Sequence, residues 1–382
     1  MRNIYKYSFI LGLVLLFTSI LFLSFKLEDK PSTSKTPDEY IASYIEGEYQ
    51  TAIPGKDDGY VVDKIVCDNG ATGTWNNEEW GINIRNATQK VKCSIYFIKT
   101  VKLTDKIATL AATDSTNFAT DDPDNNIRYI GKDPNNYVYF NCSDYTNQTD
   151  DTCEKWRIIG LFNNMTKEDG TKENLIKIIR DSPLGSIAWD IYRLNDWSAA
   201  SLQTTLNDDY YNGTYDTGAL KNDATRNAIE SVVWNLGGLR DAENIVSTFY
   251  IAERGTEVYS GRPTTWTGKI GLMYPSDYCY ATAGGITTNR ATCMTTNLYD
   301  WIESEVSDCK SNDYLFKAAY EWTLMPNSSG SRTVFSVNTG FVNGVGLVNS
   351  TYGARPTIYL KSNISIASGE GTSESPYQLK LQ

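Results

Sequence analysis

Residues 156–180 read WRIIGLFNNMTKEDGTKENLIKIIR. Two apolar runs rich in β-branched residues, WRIIGLF and NLIKIIR, flank a polar stretch, which is the composition of two strands joined by a turn. Upstream lie IRYIG (127–131), DPNN and YVYFN (137–141). Asp133 and Pro134 suit positions i and i+1 of a type I turn, so this stretch reads as another hairpin. Cys142 and Cys153 bracket the Asn/Thr/Asp-rich loop between the two hairpins. Downstream the pattern turns helical. In DATRNAIESVVWNLGG (223–238), Asp223 can cap a helix, Ile229, Val232, Val233 and Leu236 fall on one face, and Gly237 can end it. AENIVSTFYIAERG (242–255) reads as a second helix. Strand-like segments then return at KIGLMY (269–274), YEWTLMP (320–326), TVFSVNTG (333–340), RPTIYLK (355–361) and SPYQLKL (375–381). Strands, then helices, then strands imply one α+β domain over 127–382 with a mostly antiparallel sheet.

Ahead of this domain, Leu103, Ile107, Leu110 and Ala111 form one helical stripe, so 101–126 is expected to be a helical connector. Between 51 and 100 the segments YVVDKIVC, ATGTW, WGINIRN and VKCSIYFI alternate with turn clusters and predict a small all-β module. Closing its Cys67 to Cys93 loop would stabilise it by about 3–4 kcal/mol, a staple that a module of this size needs. Residues 28–50 read as a polar tether followed by a short helix, with Thr36 before Pro37, Asp38 and Glu39 in its first turn, and Gly47 as its stop. From Tyr7 to Phe25 the chain carries 19 residues without a charge, long enough to cross the roughly 30 Å hydrocarbon core of a bilayer. Arg2 and Lys6 precede this run, so residues 1–27 are expected to be an uncleaved signal anchor. That makes the protein single-pass in the cell membrane, with its C-terminal domain extracellular.

The chain has 382 residues, 35 Lys and Arg against 46 Asp and Glu, a net charge of −11, and no histidine. The charge disfavours a nucleic-acid partner. The absence of His removes Ser-His-Asp and Cys-His catalysis, His-containing zinc sites and any imidazole switch. Seven cysteines with pairwise spacing and no C-x-x-C pair fit disulfides in an oxidising compartment: Cys67 with Cys93, Cys142 with Cys153, and a cluster of Cys279, Cys293 and Cys309. Asp122, Asp124 and Asn126 have the alternation of a calcium loop with Asp133 at its twelfth position. Ile127 stands where that loop needs Gly, so the stretch reads as a polar linker. Neither a metal nor a cofactor is expected. Glu321 and Asp277 are the carboxylates that a carbohydrate-active enzyme would use, but nothing fixes their separation, and no catalytic residue is assigned.

The succession Trp322-Thr323-Leu324, Val334 to Gly340 as VFSVNTG, Gly353-Ala354-Arg355-Pro356 running into IYL, and SGEGTSESPY resembles a domain of unknown function in surface proteins of gut Firmicutes. IGLMYPSDY (270–278) and the 127–160 opening are similar to the same group, so the resemblance covers about residues 125–382. That group is similar in strand order to C-type-lectin-like domains, and the resemblance implies this fold. Because similar chains tend to carry Gly after SDY where Cys279 stands, the resemblance favours Cys293 to Cys309 with Cys279 free; Cys279 to Cys293 is the competitor. The triplets of calcium-dependent sugar lectins are absent, since Met325-Pro326-Asn327 and Leu194-Asn195-Asp196 do not match them. Arg355 is expected to bond carbonyls beneath the last strand. In such an architecture long loops carry the ligand, which points to Tyr210, Tyr211, Tyr215, Trp266, Phe341, Asn343, Asn349 and Tyr352, since Tyr and Trp with Asn offer rigid area and hydrogen bonds. The expected function is a membrane-anchored extracellular adhesion protein, not an enzyme, whose partner is a surface glycan or protein. The rivals are an envelope structural component and a carboxylate-based enzyme.

Overall fold

The computed structural model describes residues 39–381 apart from 57, 77, 78 and 217. The chain divides into one unit ending at Lys99 and another beginning at Thr100. In the second unit, strand Glu154–Thr166 runs antiparallel to Lys172–Arg180, pairing Trp156 with Arg180 and Phe162 with Leu175. Every residue from Trp156 to Phe162 is buried, which explains a run that is apolar apart from Arg157, itself held by Asn136 Oδ1 at 2.6 Å, where a half-exposed strand would alternate. The sheet extends through Thr357–Leu360 to Ile229–Glu230 on one side, and through Ile127–Tyr129 to Phe118–Ala119 on the other. All these pairings are antiparallel, and the unit is α+β.

The expected hairpin over 127–141 does not form. Ile127–Tyr129 and Tyr137–Phe140 both pair with Glu154–Thr166, the first at Gly160 and Leu161, the second from Glu154 to Arg157. A strand of 13 residues has edge enough for two short partners. Asn136 seals the gap between them, its backbone carbonyl accepting from Ile158 N at 2.8 Å and its amide donating to Ile158 O at 2.7 Å. Gly160 is required at this junction because a Cβ there would stand 2.1 Å from Ile127 O.

A second correction concerns 223–238. The helix covers only Asp223–Asn227, capped by Asn222 rather than Asp223, and strands Ile229–Glu230 and Val232–Asn235 follow. Val232, Trp234 and Leu236 are buried while Val233 and Asn235 are half-buried. This is a period of two, and it suits β-branched residues better than the helical spacing with which it overlaps. The second expected helix is present as Val246–Glu253 and packs against a buried helix, Pro275–Tyr280, within the stretch read only as a strand and turn. Five further strands form a separate sheet in the order Ser186–Ala188, Thr351–Gly353, Tyr320–Pro326, Thr333–Asn338, Phe341–Leu347. The helix Leu103–Ala111 belongs to this larger unit and buries Leu103 and Ile107 in its core, so it is not a separate connector.

In the first unit all four expected strand segments form, as Tyr60–Cys67, Thr72–Asn76, Gly81–Arg85 and Val91–Lys99. The short helix expected before them is instead strand Glu39–Ile45, parallel to Val91–Lys99, with Glu48–Gln50 folded back on it. Gly47 is no helix stop. With φ of 50° at Glu46 and 89° at Gly47, these two residues make a two-residue hairpin loop in which both positions are left-handed. Tyr44 stacks on Tyr96 of the neighbouring strand at 4.8 Å, a cross-strand pair that a helix would forgo. The Pro37 start signal and the Tyr7–Phe25 run lie outside the described residues, among which no helix is long and apolar enough to cross a membrane.

Three disulfides join Cys67 to Cys93, Cys142 to Cys153 and Cys293 to Cys309, and Cys279 is free and buried. Burial pushes the Cys279 thiol well above its ordinary range, which makes it inert rather than nucleophilic.

Candidate functional site

A cleft of about 650 Å³ lies along the five-stranded sheet, where Ser186–Ala188 pairs with Thr351–Gly353 and the latter meets Glu321 in parallel at Gly353. Its walls carry Tyr320, Tyr352, Glu321, Lys317 and Asp181. Strand Tyr320–Pro326 is exposed at Tyr320 and buried from Glu321 onward, with Tyr320 and Trp322 on the same face. Tyr320 points outward and is 47% exposed, while Trp322, two residues on, is 1% exposed beneath Tyr352. The Tyr352 ring stacks on Trp322 at 4.2 Å and meets Tyr320 at 5.1 Å. Trp322 is fixed in turn by its indole N–H, which donates to Ile187 O at 2.7 Å. The platform is therefore two tyrosines braced by a buried tryptophan, an aromatic surface whose orientation is set before any ligand arrives.

Charge is arranged around this platform. Lys317 Nζ meets Asp181 at 3.1 Å in a partly exposed pair. Glu321 is 2% exposed, and its Oε2 accepts from Arg355 Nη2 at 2.7 Å. Burial pushes the Glu321 carboxyl up, against the pull of the Arg355 guanidinium. Arg355 Nη2 also donates to Leu315 O at 2.9 Å, in keeping with the carbonyl-bonding role expected of it. Among the described residues, Glu321 Oε1 and Arg355 Nε and Nη1 have no hydrogen-bond partner. Asp277, the carboxylate considered as a partner for Glu321, does not line this cleft. It is enclosed with Arg128 and Lys177 instead.

Of the eight residues proposed from sequence for ligand contact, Tyr352 lines the cleft. Tyr210 and Phe341 are core residues at 0% and 6% exposure, so neither presents a surface to a ligand. Burial follows because Tyr210 continues a helical segment whose Leu206 is also interior, and because Phe341 meets the ring of Tyr299. Tyr211 and Tyr215 are half-buried against the core; the Tyr211 hydroxyl accepts from Lys269 Nζ. Trp266 is half-buried in strand Thr265–Gly268 with its edge toward Trp197. Asn343 uses its side-chain oxygen on the backbone of Val345, and Asn349 is exposed in the turn before Tyr352. Tyr320, Lys317 and Asp181 were missed from sequence. Tyr320, an aromatic at the start of the strand segment YEWTLMP, carried the one usable signal.

The calcium-like stretch is likewise committed to the protein itself. Asp122 accepts from Asn126 N at 2.9 Å, Asn126 Nδ2 at 2.9 Å and Arg128 Nε at 2.7 Å, all in the interior. Asp124 accepts from the Tyr250 hydroxyl at 2.7 Å.

The class that fold and site define is thus a disulfide-stapled α+β domain that carries a preformed aromatic cleft and follows a small β unit in sequence. Comparison with protein-family models, curated proteins and solved structures found no match to this chain.

Proposed function

We propose that this protein is a membrane-anchored extracellular binding protein, that its larger unit is a C-type-lectin-like domain, and that the Tyr320–Tyr352 cleft takes a surface glycan. The observation that carries the reading is the braced tyrosine pair beside the Lys317–Asp181 pair. Stacking against an aromatic face and hydrogen bonding to polar rims are what a sugar ring offers, and neither needs a metal. Three disulfides support an oxidising, extracellular setting. The sequence supports the anchor through the uncharged Tyr7–Phe25 run.

The test is a glycan and mucin binding screen with the detergent-solubilised chain, repeated for Tyr352→Ala and Tyr320→Ala. Binding is expected to survive EDTA and to weaken by about 1–3 kcal/mol in each variant. Undiminished binding by both variants would remove the cleft from the reading. A second reading, an envelope component that docks another protein, draws on Ile191, Tyr192 and Leu194, which are exposed together in one loop. Replacing these three by Ser would abolish association under that reading and leave glycan binding unchanged under the first.

A further inference from the structure

Strand Lys172–Arg180 holds one charged residue inside its fully buried stretch, Lys177, set in Leu175-Ile176-Lys177-Ile178-Ile179. A lysine there cannot reach water. Its Nζ donates instead to Asp277 Oδ2, and the aromatic rings of Tyr274, Phe162, Trp234 and Tyr359 surround it at 4.5, 5.3, 5.4 and 5.4 Å. Asp277 is 1% exposed on the buried helix Pro275–Tyr280. Its other oxygen, Oδ1, accepts from Arg128 Nη1 at 2.9 Å, and Arg128 is in turn held by Asp122. A third carboxyl, Glu253, bonds the backbone N–H and hydroxyl of Ser276, the neighbour of Asp277.

An amine and a carboxyl are thus held together by the fold, in a sealed box with aromatic walls. In water these groups do not condense, because solvation stabilises the two ions and water competes as nucleophile. Here solvation is gone, and an enclosed ion pair is a costly species. Burial lowers the Lys177 ammonium to about 8; burial also works to raise the Asp277 carboxyl, but Lys177 and Arg128 outweigh it and hold that carboxyl below its ordinary range. At rest the pair is therefore ionic, and transfer of one proton within it gives the reactive amine and acid.

We infer that Lys177 and Asp277 become joined by an intramolecular amide bond. Lys177 Nζ bonds to Asp277 Cγ, the Cγ–Oδ2 bond breaks, and Oδ2 leaves as water. The atoms balance without a co-reactant: the ion pair carries three protons on nitrogen, the amide keeps one and the water takes two. Arg128, already on Oδ1, faces the oxygen on which negative charge grows during attack. The fixed contact supplies proximity, and the aromatic walls exclude the water that would reverse the step. Charge is also conserved in the cavity, since the product leaves Arg128 and Asp122 as a matched pair.

The test is the mass of the full chain, purified from membranes and reduced, with tryptic mapping. The chain is expected to be one water lighter than its sequence. Trypsin cannot cut after an acylated lysine, so Glu173–Arg180, uncut at Lys177, should appear linked to Ile270–Arg290. Lys177→Met and Asp277→Ala should each restore the full mass and free the two peptides. A wild-type chain at full mass, with cleavage after Lys177, would overturn the inference. Loss of water without the linked peptides would do so too, because a cyclised aspartate has the same mass. Both readings come from the wild-type chain, so a variant that fails to fold leaves the result intact.

Discussion

The two units of this chain bury different things. Between Glu39 and Lys99 the core consists of Ala42, Ala71, Val91, Cys93, Ile95 and Phe97, and among the described residues Ser43 is the one buried polar side chain. From Thr100 onward the core takes in Trp156, Trp189, Trp197, Trp234, Trp301 and Trp322, and it also encloses Arg128, Lys177, Glu253, Asp277, Glu321 and Arg355. The difference follows from size. A small unit buries too little apolar surface to offset the desolvation of an ion, so it stays apolar and relies on a covalent staple. A large core has the surplus to hold charges, provided each is partnered.

The largest effect that would break this comparison is in the large core. Trp156 is fully enclosed with its ring edge on Phe140 at 5.2 Å, and Trp156→Ala should cost about 3–5 kcal/mol of unfolding free energy in denaturant titration. A loss below about 1 kcal/mol would mean that the large core is not tightly packed. Next comes the staple. Cys67 and Cys93 are directly opposed in the ladder and 26 residues apart in sequence. Replacing both by Ala should cost about 3–4 kcal/mol. Hydrogen exchange should then show protection collapsing in strands Tyr60–Cys67 and Val91–Lys99; retained protection would show that the apolar core alone suffices.

The smallest effect sharpens the point about charge. Burial, opposed by Arg254, pushes the Glu253 carboxyl up to about 7 from an ordinary 4.5. Between those pH values the folded chain keeps a proton that the unfolded chain releases. The stability contributed by this group is therefore complete below about pH 4.5 and is lost as pH rises through 7, by about 3 kcal/mol in total. Glu253→Gln should flatten that slope in thermal melts taken across the window. An unchanged slope would assign the pH dependence to another group.

Legibility from sequence followed locality. The hairpin over 154–180 was readable because its partners are adjacent and its turn is polar. The stretch 127–141 was not, because its two strands pair with a third segment and never with each other. Residues 229–236 satisfy both a helical and a strand period, and only tertiary partners decide between them: Thr357–Leu360, more than a hundred residues away, pairs with Ile229–Glu230, and Thr265–Gly268 pairs with Val232–Asn235. At the cleft, Tyr352 was found by its position before Gly353-Ala354-Arg355-Pro356. Lys317 and Asp181 come from loops whose approach is purely tertiary. The interior pair left a fainter trace: a single lysine within LIKII is a charge where a buried strand tolerates none without a partner. Nothing in the chain names Asp277 as that partner.

The parallel pairing of Glu39–Ile45 with Val91–Lys99 has a mechanical consequence. The chain enters this unit at one end of the ladder and leaves it at the other, with seven residue pairs in register from Glu39 opposite Val91 to Ile45 opposite Phe97. Tension between those two points therefore loads the whole ladder in shear, where hydrogen bonds share the force, rather than peeling them one at a time. If the ladder does slip, the Cys67–Cys93 bond withholds the segment between its ends from extension. A pull applied between Glu39 and Lys99 therefore meets this unit along its more resistant direction.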